Sequence, residues 1–154
     1  MEFDALIKYN STDIFYSSDI SENDYKKYPS GLSLFTISNG NEDIVKSPVN
    51  FIKDHFYSVF LFNASKDLLI IDDQDLEGLT KVRFINMSSD TVIINNNNEL
   101  LFGDYYEEFS DGSFKIDYKI RDQESLIEDS NIQDGIYNFV YKENRELNLI
   151  VTRR

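Results

Sequence analysis

The chain has 154 residues, 41% of them hydrophobic and 14% aromatic, which is apolar material enough for one ordinary domain or two small ones and excludes a disordered chain. Fifteen basic against 28 acidic residues leave a formal charge of −13, so nucleic-acid phosphates and anionic lipid are repelled rather than gathered. The absence of Cys removes disulfides, thiol nucleophiles and thiolate metal sites together.

In chain order, the first segment, Met1-Glu2-Phe3-Asp4-Ala5-Leu6, has no basic n-region and no unbroken apolar h-region, so no secretory signal is expected at this end. Neither it nor any later run approaches the apolar length of a membrane span, and no membrane insertion is expected. Leu6-Ile7-Lys8-Tyr9-Asn10-Ser11-Thr12-Asp13 reads as a strand entering a polar turn, and Tyr25-Lys26-Lys27-Tyr28-Pro29-Ser30-Gly31-Leu32 as an aromatic segment closed by a small-residue turn. Asp54-His55-Phe56-Tyr57-Ser58-Val59-Phe60 and Lys66-Asp67-Leu68-Leu69-Ile70-Ile71 then carry the β-branched and aromatic residues of two more strands.

The remainder retraces that order. Val82-Arg83-Phe84-Ile85-Asn86-Met87-Ser88-Ser89-Asp90 matches the opening segment with one residue inserted, and Tyr106-Glu107-Glu108-Phe109-Ser110-Asp111-Gly112-Ser113 matches the second. Asp134-Gly135-Ile136-Tyr137-Asn138-Phe139-Val140 matches the third, and Arg145-Glu146-Leu147-Asn148-Leu149-Ile150 the fourth. The offset is 81 from Gly31 to Gly112 and 80 from Tyr57 to Tyr137, and the four matches are collinear. Within the second copy, strands are predicted at 82–85, 91–94, 113–120, 135–141 and 146–152, with Asn95-Asn96-Asn97-Asn98 and Ser110-Asp111-Gly112 as turns. Phe114, Ile116, Tyr118 and Ile120 alternate with Lys115, Asp117 and Lys119, the period of a half-buried strand. No stretch has sustained helical periodicity.

The expected fold is therefore all-β: two tandem small immunoglobulin-like β-sandwich repeats, residues 1–75 and 79–154, joined by a short acidic linker, 72–78. Separate cores and the same strand order in both repeats follow from the collinear matches.

The opening Val82-Arg83-Phe84-Ile85-Asn86-Met87-Ser88-Ser89-Asp90 resembles the first motif of the bacterial domain of unknown function four-three-nine-seven family, often found in tandem. Leu101-Phe102, Tyr105-Tyr106 and Phe109-Ser110-Asp111-Gly112 are similar to the hairpin, aromatic and small-residue turn that follow it in that family. The first copy departs at Ile7-Lys8-Tyr9-Asn10, and neither copy has the usual Pro before the Asp. The resemblance implies an immunoglobulin-like module of bacterial surface proteins or, in spore formers, of the spore. It brings no catalytic residues.

Each chemical constellation has a plainer reading beside it. His55 is the sole His and cannot make the usual His-based metal shell, so a turn or surface histidine is expected. Asp73-Gln74-Asp75-Leu76-Glu77-Gly78 imitates the start of a calcium loop, but the twelfth position is Phe84 instead of a bidentate Glu. That leaves only a weak calcium candidate, Asp73, Asp75 and Glu77, in the linker, and no cofactor is expected. The pairs Glu107–Glu108 and Glu128–Asp129 are adjacent, and neighbours on a strand face opposite ways, which does not suit a glycosidase pair. There is no Gly-x-Ser-x-Gly elbow and no Gly-rich phosphate loop. Tyr57 and Tyr137 sit at equivalent positions, either as sugar-stacking platforms or, the plainer reading, as a tyrosine corner or core aromatic.

The function these residues point to is a non-enzymatic structural or interaction protein of a bacterial surface or spore coat, otherwise cytoplasmic, with protein partners or itself as partner. The alternative is a module that binds carbohydrate or another ligand. The interface candidates are Leu147 and Leu149 on the last strand and Arg153 and Arg154 at its basic tip.

Overall fold

The structure is a computed structural model that describes residues 6–9, 12–16, 31–39, 42–62, 67–74 and 80–152. Among them there are fourteen strands and no helix, as the aromatic and β-branched composition and the period-2 patterning require. The chain divides into two compact units, Met1–Asp75 and Leu76–Arg154.

In the first unit, β1 (Leu6–Tyr9), β2 (Thr12–Tyr16), β3 (Gly31–Asn39) and β4 (Glu42–Phe51) form one antiparallel sheet in the order β2-β1-β3-β4. Pro48 lies within β4 opposite Leu34. Proline cannot donate to a ladder, and among the described residues β4 ends its sheet, the place where a strand tolerates it. β5 (Phe56–Phe62) and β6 (Asp67–Gln74) form a separate antiparallel pair. Asp72, Asp73 and Gln74, placed in the linker by the sequence reading, are the last three residues of β6.

The second unit has two four-stranded sheets. One runs β10 (Tyr105–Ser110), β7 (Thr80–Met87), β13 (Gly135–Lys142), β14 (Leu147–Thr152), and the other β12 (Gln123–Asp129), β11 (Phe114–Ile120), β8 (Val92–Ile94), β9 (Asn98–Leu100). Every pairing is antiparallel except β7 with β13, which is parallel. The sheets face each other over one apolar core. Val82, Phe84, Tyr137, Phe139 and Tyr141 enter it from the first sheet, and Val92, Ile94, Leu100, Phe114 and Ile116 from the second. Phe84 packs on Tyr118 with ring centroids 5.2 Å apart, and Phe114 on Phe139 at 5.5 Å, the tilted separations aromatic pairs prefer. Each fully buried residue of this size contributes about 1.5–3 kcal/mol.

The alternation predicted for β11 is present: Phe114 and Ile116 are buried, and Lys115 and Asp117 exposed. The turns also follow their chemistry. Asn95 and Asn96 hold positive φ (49° and 66°) between β8 and β9, and Gly112 takes φ 117° ahead of β11, conformations that Asn and Gly adopt most readily.

The all-β expectation holds, but the strand order differs between the units. The hairpins β3–β4 and β5–β6 recur at the repeat spacing as β11–β12 and β13–β14. The opening strands do not recur in the same way. β1 lies between β2 and β3, whereas β7 lies between β10 and β13 and hands the chain to the opposite sheet at β8. In the second unit the side chain of Asn86, near the end of β7, holds the loop that carries the chain across to β8.

Candidate functional site

Asn86 is fully buried. Its amide nitrogen donates to the carbonyls of Asp90 (2.7 Å) and Leu100 (3.0 Å), and its oxygen accepts from the Ser88 amide (3.0 Å) and hydroxyl (2.8 Å). A buried amide so satisfied pins the β7–β8 loop to the end of β9. Ser89 is held in turn by Glu143, which accepts from its amide at 2.6 Å and from its hydroxyl. Those two bonds hold the Glu143 carboxyl below its ordinary range. Asp90 projects from the same loop: its Oδ1 accepts from Arg121 Nε (3.2 Å) and Nη2 (3.0 Å), and its Oδ2 lies 3.5 Å from the Tyr141 hydroxyl. Burial first, and then the Asp90 charge, push the Tyr141 phenol above its ordinary value. The Asn-Met-Ser-Ser-Asp motif is thus a brace that joins three loops at one end of the unit.

The other face of the β10-β7-β13 sheet carries charge. Arg83 is fully buried; its Nε donates to Glu107 at 2.8 Å and its Nη1 to Asn138 at 3.3 Å. Lys81 lies 3.6 Å from the same carboxylate. Phe109 faces Lys81 at 5.4 Å and Tyr105 faces Arg83 at 5.8 Å, distances at which a ring attracts a cation. Glu108, on the opposite face as strand geometry demands, accepts from the Tyr106 hydroxyl at 2.7 Å. Burial and that carboxylate raise the Tyr106 phenol. Glu107 and Glu108 therefore face away from each other and cannot flank one bond. Glu128 and Asp129 are exposed on β12, an edge strand.

Both equivalent tyrosines have the corner geometry. The Tyr57 hydroxyl accepts from the Ile52 amide at 2.9 Å, five residues upstream. The Tyr137 hydroxyl accepts from the Gln133 amide at 3.1 Å and donates to the Gln133 carbonyl at 2.9 Å, four residues upstream. Tyr137 is buried in the core, where its ring cannot stack on a sugar.

His55 follows a turn, its amide donating to the Ile52 carbonyl at 3.3 Å, and its Nδ1 lies 2.9 Å from Asp72. The sequence reading missed this partner, because 17 residues separate the two and only the β5–β6 pairing joins them. Asp73, of the calcium candidates, is buried and accepts from the Ser58 hydroxyl. Asp75 and Glu77 lie outside the described residues. Among the described residues no group of three or more His, Cys, Asp or Glu is placed to hold a metal ion. Nor is any helix among them long and apolar enough to cross a membrane.

Of the interface candidates, Leu147 is half-buried against the core, while Leu149 is 46% exposed on β14. Arg153 and Arg154 lie outside the described residues. No protein-family model matches the chain, and no curated protein matches it.

Proposed function

We propose that the protein is a non-enzymatic interaction module, built of two tandem immunoglobulin-like repeats, that assembles with copies of itself in a bacterial surface layer or spore coat. The observation that carries this reading is the place of β14, which ends its sheet among the described residues. Its described ladder is to β13, it presents Leu149 to solvent, and the sequence continues into Arg153-Arg154. An edge strand offers unpaired backbone donors and acceptors to another strand, and two copies of one edge can pair antiparallel about a two-fold axis. The resemblance to tandem surface modules supports the same reading.

Charge opposes the association at low salt, since residues 1–78 carry −8 and residues 79–154 carry −5. Screening at about 0.15 M shortens that repulsion to roughly 8 Å and leaves backbone and apolar contacts to decide. Sedimentation of the intact chain and of a form lacking Arg153 and Arg154, across a salt series, is the test. Association that strengthens with salt and weakens without the two arginines is expected. A chain that stays monomeric at high concentration throughout the series overturns the proposal.

A further inference from the structure

The register of the second unit separates its two ends. Gly135 stands opposite Thr80, and Ile136 opposite Thr152, at one end; Lys142 stands opposite Met87, and Tyr141 opposite Leu147, at the other. At that second end, away from where the chain enters and leaves the unit, a cleft of about 420 Å³ opens between the β11–β12 and β13–β14 hairpins. Its volume falls within the roughly 300–1,000 Å³ of small-molecule sites.

The turns that frame the cleft break a rule the rest of the described chain obeys. Among the described residues with positive φ, all are Gly, Asn or Asp except two, Arg121 (φ 56°) and Arg145 (φ 65°), and both line this cleft. Arg121 opens the two-residue turn between Ile120 and Gln123. Arg145 closes a three-residue turn, its amide donating to the Lys142 carbonyl at 2.9 Å, where such hairpins favour Gly. A long side chain held in the left-handed region at two turns on two different sheets is local strain, and strain of this kind gathers where a side chain is needed.

The chemistry inside is mixed. Ile120 and Leu147 are apolar, and Tyr118, whose ring packs on Phe84, lines the cleft with them. Arg121 is held by two bonds to Asp90 Oδ1, and Arg145 and Asp122 line the cleft as well. Gln123 and Ser125 add groups that both donate and accept. Two arginines against two aspartates leave no excess charge for a phosphate or carboxylate. A bonded Arg121–Asp90 pair, further donors and acceptors, and apolar surface together match a ligand with hydroxyls around an apolar ring.

We propose that this cleft binds a neutral sugar unit, with Arg121, Arg145 and Asp90 bonding its hydroxyls and Tyr118, Ile120 and Leu147 receiving its apolar face. The site lies within one unit and does not depend on assembly. The test is an amide NMR titration of the whole chain with glucose, N-acetylglucosamine, cellotriose and chitotriose, with glucuronate and inorganic phosphate as the anionic arms. Saturable shifts at Arg121, Gln123, Ser125 and Arg145 with at least one neutral sugar are expected. Arg145→Gly should weaken that binding by roughly tenfold or more while its melting temperature stays level or rises, because glycine relieves the positive φ. The proposal is overturned if no neutral sugar moves these amides, if only the anions do, or if Arg145→Gly binds as the parent does.

Discussion

Asn86 fills every hydrogen-bonding position its amide has, with two carbonyls accepting from its nitrogen and two Ser88 groups donating to its oxygen. Asn86→Ala should therefore cost about 2–4 kcal/mol in urea unfolding, since each buried group left without a partner costs about 1–3 kcal/mol. A loss under about 1 kcal/mol would show that water replaces the amide. Tyr141 permits a prediction in pH. Its folded value lies above that of the unfolded chain, so its contribution is complete below the unfolded value of about 10 and is lost as pH rises through the folded one. The melting temperature should fall above about pH 10, and less steeply in Tyr141→Phe, which keeps the ring and has no proton to lose. Equal slopes would remove Tyr141 from the alkaline transition. The motif Asn86 to Asp90 was legible in the sequence as a pattern, but its role as a brace was not, because its partners Leu100, Arg121, Tyr141 and Glu143 are 10 or more residues away along the chain.

Strands announced themselves in proportion to their burial. The alternation of Phe114, Ile116 and Tyr118 marked β11, whereas β12, Gln-Glu-Ser-Leu-Ile-Glu-Asp, has a composition that strands avoid and forms only because the Arg121 turn folds it onto β11. β7 is buried on both faces, and on one of them Lys81 and Arg83 meet Glu107. The edge strands permit a prediction of their own. Leu149 is 46% exposed, so Leu149→Lys should leave the unfolding midpoint within about 0.5 kcal/mol of the parent. Salt-driven association should nevertheless drop, because a lysine on an edge blocks strand addition. Association unchanged in sedimentation would exclude β14 as the contact.

Across the whole molecule, the repeat in the sequence is collinear while the pairing of the opening strands is not. Collinear matches report which residue types recur. They do not report which neighbour a strand takes: β1 lies between β2 and β3, and β7 between β10 and β13. The acidic segment behaves similarly: the sequence reading grouped Asp72 and Asp73 with Asp75 and Glu77 as linker, yet the first two lie in β6 and bond His55 and Ser58. With Asp73 already holding a hydroxyl, a chelator should leave the melting temperature unchanged. A large drop reversed by calcium would restore the metal reading for Asp73, Asp75 and Glu77.

The parallel register of β7 and β13 sets how the second unit responds to force. Thr80 and Thr152 flank the same end of β13, two strand spacings or about 10 Å apart. Tension drawn through those two points does not load the ladders in shear. It peels β14 from β13 one rung at a time, so single-molecule stretching should open this unit at low force, well before its core of Phe84, Phe114 and Phe139 is loaded. Used in a layer, such a module yields at β14 first, and that is the strand proposed to hold the layer together.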